Sequence, residues 1–159
     1  RALGRPPVYV RGYGESNTHW TMSGMPDLAR LTAAEIAGRE AFRMAGISHD
    51  AIDVAQIYDS FTITVLLTLE ALGFCKRGEG GAFVSGQRTA PGGAFPLNTS
   101  GGGLSCCHPG MLGIFLLIEA VRQLRGECGE RQVQNARTAL VHGTGGTLSS
   151  GATCILSRS

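Results

Sequence analysis

The run that follows Pro109 restricts the folds open to this chain more than any other. Met111, Leu112, Ile114, Phe115, Leu116, Leu117, Ile118, Ala120 and Val121 crowd a predicted helix from Pro109 to about Leu124, so its first three turns are apolar on nearly every face. A surface helix keeps one polar side, whereas a helix that is apolar all round has to be covered all round. A membrane span is excluded by length, because it needs about 20 consecutive apolar residues. The expectation is a helix held between a sheet of this chain and a further layer, supplied by the rest of a longer polypeptide or by a second copy.

The composition is that of one globular domain. With 159 residues, 43% of them hydrophobic and 16% charged, there is enough chain to bury a real core. The 14 basic and 12 acidic residues are scattered and leave a net charge of +2, which gives no electrostatic footprint for nucleic acid or an anionic membrane. Cys75, Cys106, Cys107, Cys128 and Cys154 form an odd set without Cys-x-x-Cys spacing. That argues against a disulfide framework and a structural zinc site, and for a reducing cytoplasm. Nothing resembles a signal peptide. The chain opens at Arg1 without an initiator methionine, as an excised segment would.

Periodicity and punctuation predict the order β-α-β-α-loop-α-β-β. Val8 to Gly14 reads as a strand, and a polar loop through Asn17, His19 and Trp20 follows. Thr32, with Glu35 three residues on, is a capping-box start for a helix that runs to Ala45 and stops at Gly46. Val54 to Tyr58 reads as a buried strand, and Ser60 to Leu72 as a helix despite Thr62, Ile63, Thr64 and Val65. Phe74 to Leu97 is long for a loop and is expected to line a site. Ala139 to His142 and Ala152 to Leu156 are strands joined through a turn at Gly143-Thr144-Gly145-Gly146. Helices between strands imply crossovers and the last two strands can pair as a hairpin, so the fold class is α/β with a mixed sheet.

One stretch carries the chemistry: Asn98-Thr99-Ser100-Gly101-Gly102-Gly103-Leu104-Ser105-Cys106-Cys107-His108-Pro109-Gly110. Consecutive glycines permit positive φ and close backbone approach, and Pro109 suits the first helical position. His108 is therefore expected beside a helix N-terminus, whose positive end disfavours protonation and leaves a neutral imidazole able to act as a base. The alternative is an ordinary loop histidine. Cys106 and Cys107 are adjacent and cannot readily aim both thiolates at one metal ion, so they read as small buried packing residues and no metal is expected. Cys75 and Cys154 read as core. Lys76, Arg77 and Arg88 flank the long loop and meet either a phosphate-bearing ligand or solvent, and His19 and His49 sit in polar turns.

These residues resemble a known family. Asn98-x-Ser100-Gly101-Gly102 followed by His108-Pro109-Gly110 and an apolar helix is similar to the Gly-His-Pro motif of the thiolase superfamily. Ile57-Tyr58-Asp59-Ser60-Phe61, with Leu69-Glu70-Ala71-Leu72-Gly73-Phe74-Cys75 after it, looks like the His-Asp-Cys-Phe region and succeeding helix of sterol-carrier-type thiolases and their lipid-transfer-like bacterial relatives. His142-Gly143-Thr144-Gly145-Gly146 falls at their C-terminal glycine-rich catalytic turn. The resemblance runs from Val8 to Leu156 and implies the C-terminal half of a five-layer α-β-α-β-α body, with the apolar helix in the middle layer.

The resemblance further implies an acyl-CoA acyltransferase that makes or cleaves 3-ketoacyl-CoA by Claisen chemistry, with a coenzyme A thioester as substrate and no tightly bound cofactor. The nucleophilic cysteine would lie in an N-terminal half absent here, so this chain alone would be inactive; a homodimer is implied. His108 would activate that cysteine and help hold the thioester oxygen, Asn98 and Gly101 would shape the pocket, and Gly145 would lend oxyanion-hole donors. Departures from the family pattern open two alternatives. Tyr58 and Ser60 replace the histidine and cysteine of His-Asp-Cys-Phe, a pattern similar to thiolase-like aldolases that cleave β-hydroxyacyl-CoA without a nucleophilic cysteine and work with small OB-fold partners. There Tyr58 would donate or take the proton. The other alternative is a non-catalytic acyl-CoA or lipid-binding module. His142, standing where many thiolases have a catalytic cysteine, is either a base or a polar residue closing a strand.

Overall fold

The computed structural model describes residues 4–159. Its elements in chain order are β1 (Tyr9–Asn17), α1 (Thr32–Ala45), β2 (Val54–Ile57), α2 (Thr62–Ala71), α3 (Gly80–Val84), α4 (Leu112–Arg125), β3 (Thr138–Gly145) and β4 (Ser150–Ser157). The four strands lie in the order β1-β4-β3-β2, with β4 antiparallel to both neighbours and β2 parallel to β3. The mixed α/β sheet expected from the sequence is the one observed.

Helices cover both faces. On one, Ala41, Phe42 and Ala45 of α1 and Leu69 of α2 pack with Ala55, Ile57, Leu140 and Ile155. α1 rides directly on β1, where a Cβ at Gly12 would meet the Ala41 carbonyl and stand 2.7 Å from the Ala45 nitrogen, so only glycine permits this approach. On the other face, Leu112, Leu116, Ala120 and Leu124 of α4, at helical spacing, pack with Val54, Tyr58, Ala139, Val141 and Leu156. Another face of α4 stays open: Ile114, Phe115 and Ile118 are 53%, 52% and 47% exposed. The sheet therefore covers one side of the apolar helix, and among the described residues none covers Ile114, Phe115 and Ile118.

Several local expectations are corrected. α4 begins at Leu112 and not at Pro109, because Gly110 takes a left-handed φ of 72° and turns the chain before the helix can start. Thr32 is the first helical residue and caps nothing; Glu35 pairs with Arg30 and Arg39 instead of reaching back. β1 extends to Asn17 because it pairs with β4 along its length. Gly143, Thr144 and Gly145 belong to β3, and the turn lies at 146–149. The segment 74–97 is not a bare loop: it carries α3, its Phe74, Phe83, Val84 and Phe95 pack on the α1–α2 core, and its end runs beside β2.

Candidate active site

Tyr58 leaves the end of β2 with its N–H donated to the His142 carbonyl at 2.9 Å, so the backbone there is held by the sheet. Its ring is buried in the α4-side cluster, and its hydroxyl lies 3.1 Å from Nδ1 of the exposed His108. The two rings meet edge to face at 74°. A phenol rooted in the core is thus hydrogen-bonded to an imidazole that stands in the open.

The loop carrying His108 is fastened to β2 almost residue by residue. Asn98, at a φ of 49°, donates its N–H to the Ala55 carbonyl. Its side-chain oxygen accepts the Ile57 N–H at 2.7 Å, and its Nδ2 donates to the Ile57 carbonyl at 2.9 Å. The carboxamide stands in for a peptide group and adds a short fifth rung to the sheet edge. Asp59, buried, accepts the N–H groups of Gly103 at 2.8 Å and Leu104 at 3.1 Å. Gly102 passes so close, at a φ of 65°, that a Cβ would collide with the Asp59 carboxylate.

Beneath the loop lies a polar network that sequence reasoning missed. The Thr99 hydroxyl donates to Glu119 of α4 at 2.8 Å and accepts from Gln56 of β2 and Gln123 of α4. Arg131 closes it with two 3.0 Å bonds to Glu119. Burial works to raise the Glu119 pKa, but Arg131 and Thr99 outweigh it and hold the carboxyl below its usual range. The available signal was Glu119 itself, the lone acid in an apolar run, since a buried charge needs partners.

Of the candidate side chains, the structure brings only Tyr58 and His108 together. Asn98 and Gly101 shape the loop, Gly101 donating its N–H to the Asn98 carbonyl at 2.8 Å. Ser60 donates to the Thr64 hydroxyl at 3.2 Å, at the start of α2. His142 lies on the opposite face of the sheet, fully buried on the side of Leu140 and Ile155, with Nδ1 2.8 Å from the Thr153 hydroxyl and Nε2 unpartnered. Burial lowers its pKa to about 4, so the imidazole is neutral. Gly145 sits in the ladder opposite Ser150. The His142 carbonyl faces β2, so alternation turns the Thr144 peptide the same way, past the end of β2, while those of Gly143 and Gly145 face β4. This glycine-floored end of β3 lines a depression of about 230 Å³ on the face where α4 starts: a Cβ at Gly143 would stand 3.9 Å from the Gly113 Cα.

Other expectations resolve simply. Cys106 and Cys107 are exposed, not buried, because the loop they occupy projects beyond the core; Cys128 is buried, and Cys75 and Cys154 are half-buried. Among the described residues no group of three or more His, Cys, Asp or Glu side chains forms a metal site, and no helix is long and apolar enough to cross a membrane. Arg77 pairs with Asp27, Arg88 lies over the Phe83 ring, and His49 stacks on Phe42.

Known proteins are similar to this chain in sequence and fold. Residues 14–158 match the thiolase C-terminal domain-like family. The acetyl-CoA acetyltransferase of Methanothermobacter thermautotrophicus is 39% identical over 153 residues, covering 96% of this chain and 40% of that protein. Sterol carrier protein 2 of Rattus norvegicus is 42% identical over 110 residues, 69% of this chain and 20% of that protein. Among solved structures, the Ltp2-ChsH2(DUF35) aldolase superposes with a TM-score of 0.86 at 29% identity, over 98% of this chain and 40% of that one. A monomeric SCP2-thiolase like protein from Mycobacterium smegmatis, at 24% identity and a TM-score of 0.71 over 96% of this chain and 29% of that one, supports the fold alone. The chain thus spans well under half the length of these relatives. The mixed sheet, the half-open apolar helix and a family match reaching from β1 to the end of β4 agree, and the chain belongs to the thiolase C-terminal domain-like family.

Proposed function

We propose that this chain is the C-terminal half of a thiolase-like enzyme that makes or breaks a carbon–carbon bond next to a coenzyme A thioester, with Tyr58 and His108 as its acid–base couple. The observation that carries this reading is the 3.1 Å contact between the Tyr58 hydroxyl and His108 Nδ1. When the phenol donates to Nδ1, the proton on Nε2 points away from Tyr58 as a donor for a thioester oxygen. When Nδ1–H donates to the phenol oxygen, Nε2 offers a lone pair and acts as a base. Passing between these states lets one imidazole serve both halves of a proton-transfer cycle. The Thr144 N–H and its glycine-rich surroundings suit an oxyanion, whose preorganised donors each contribute about 3 kcal/mol to transition-state stabilisation.

In the thiolase version, an N-terminal half supplies the nucleophilic cysteine and packs on Ile114, Phe115 and Ile118, the chain acts as a homodimer, and 3-ketoacyl-CoA is the substrate. The five free thiols suit a reducing, cytoplasmic setting, and the proposed chemistry calls for no resident cofactor. A second reading, retro-aldol cleavage of a β-hydroxyacyl-CoA presented by an OB-fold partner, is favoured by the phenol at position 58 and by the likeness to a structure named an aldolase. Here the base takes the β-hydroxyl proton, the Cα–Cβ bond breaks to release a ketone, and the enolate left behind is protonated at Cα.

The test is product formation by the complete polypeptide that carries this chain, given 3-ketoacyl-CoA with free CoA and, in parallel, a branched β-hydroxyacyl-CoA. Thiolysis supports the first version and ketone release the second. His108→Ala is expected to lower either by about a hundredfold or more without unfolding the protein. Tight CoA-ester binding with neither product would overturn the enzymatic reading in favour of a binding module.

A further inference from the structure

Cys106 and Cys107 occupy an exposed turn directly before His108, with their sulfurs 3.8 Å apart. The turn is fixed on one side only. Upstream, the Cys106 N–H donates to the Gly103 carbonyl at 3.1 Å, and Gly103 is itself tied to Asp59. Downstream, the His108 side chain has the Tyr58 hydroxyl as its hydrogen-bond partner, and Gly110 bends the chain before α4 begins. A change in the peptide between Cys106 and Cys107 is therefore passed on to His108.

We propose that Cys106 and Cys107 form a dithiol site that hydrogen peroxide closes into a reversible disulfide, and that closure parts His108 from Tyr58. The Cys106 thiolate attacks the peroxide O–O bond, giving a sulfenic acid and one water. The Cys107 sulfur then displaces the sulfenic hydroxyl as a second water and forms the S–S bond. Two electrons pass from the thiols to the peroxide, and both thiol protons end in water. Cys106, through its hydrogen bond and charge, pushes the Cys107 thiol up, which suits Cys107 to the resolving role.

Geometry supplies both the effect and its reversibility. Adjacent Cα atoms are about 3.8 Å apart, below the usual range of about 4.4–6.8 Å for a disulfide. The eight-membered ring therefore twists the peptide one residue from His108. Such strain raises the reduction potential, so a cellular dithiol reopens the ring. The remaining thiols are poor competitors: Cys128 is buried and pushed up to about 11, and burial raises Cys75 and Cys154 as well.

The consequence for turnover rests on the acid–base role proposed above for His108, and the experiment separates the two. The complete polypeptide is treated with stoichiometric hydrogen peroxide, alkylated without reduction and digested with trypsin. The peptide Thr89–Arg122 holds Cys106 and Cys107 and no other cysteine. It is expected to lack two hydrogens and carry no alkyl group, and to gain two alkyl groups after a dithiol reductant. Turnover is expected to fall by about a hundredfold, as for an ångström-scale misplacement of a catalytic group, and to return on reduction. Cys106→Ala keeps its basal rate and escapes this reversible loss. Two free thiols after treatment, or a sulfinic acid without ring closure, would overturn the proposal. So would closure without loss of activity in an enzyme that His108→Ala inactivates. Full activity of His108→Ala would overturn only the acid–base reading, while the peptide map still decides whether the ring forms.

Discussion

His142 gives the structure a pH dependence whose sign and size can be worked out. Its imidazole is fully buried on the α1–α2 face, with burial as the cause of a pKa that falls from 6.5 to about 4. The folded state thus prefers the neutral ring, and the unfolded chain binds the proton more readily. The stabilisation is fully present above pH 6.5, declines as the pH falls towards 4 and is gone below it. Between pH 7.5 and pH 5, a shift of this size removes about 2 kcal/mol. The assay is denaturant unfolding at both pH values for the wild type and His142→Asn, which can keep a bond to Thr153 but does not titrate. Other groups cancel in the comparison, so the wild type should lose about 2 kcal/mol more than the variant on acidification. Imidazole nitrogen NMR should show His142 neutral at pH 5. An equal loss in both proteins, or a charged His142 in the folded state at pH 5, would refute the placement of this residue.

Three further outcomes follow from the geometry. Gly102→Ala puts a Cβ at positive φ into the Asp59 carboxylate, and should cost about 1–3 kcal/mol; faster hydrogen exchange at the Gly103 and Leu104 amides would report it. Glu119→Ala strands Arg131 and Thr99 and should cost about 3 kcal/mol in a melt at neutral pH. Because the Glu119 carboxyl is held below its usual range, the stabilisation it provides is present above that range and is lost only as pH falls through the lowered pKa, so the variant approaches the wild type in acid. Ile118→Lys, on the open side of α4, should alter the unfolding free energy of this domain alone by less than about 0.5 kcal/mol, yet lower that of the complete polypeptide by about 3 kcal/mol if a further layer buries the position.

The sequence was legible where one residue type answers one physical need. Alternation and helical spacing placed the four described strands and the three long helices, and the surplus of apolar residues after Pro109 matches a helix that the described residues leave open on one side. Local signals failed where tertiary contacts compete with them. Pro109 has the chemistry of a first helical residue, but Gly110 intervenes; Thr32 and Glu35 have the spacing of a capping box, but Arg30 and Arg39 claim the glutamate. His142 and His108 are alike in the chain, and only the parity of β3 shows that the sheet separates them. The Tyr58–His108 contact joins residues 50 apart, and the buried Thr99–Glu119 bond joins residues 20 apart, so no local pattern could reveal either. The glycine-rich loop before Pro109 brought His108 into view and the family motif brought Tyr58; the structure supplies the hydrogen bond between them.

Tyr58 and His108 act as one unit, and a double-mutant cycle on turnover measures that coupling. Tyr58→Phe and His108→Ala are each expected to lower kcat by about a hundredfold or more. Combined, they should be within about threefold of the worse single variant, because groups that act together are lost together. Losses that multiply in the double variant, or a Tyr58→Phe enzyme as fast as the wild type, would contradict the account.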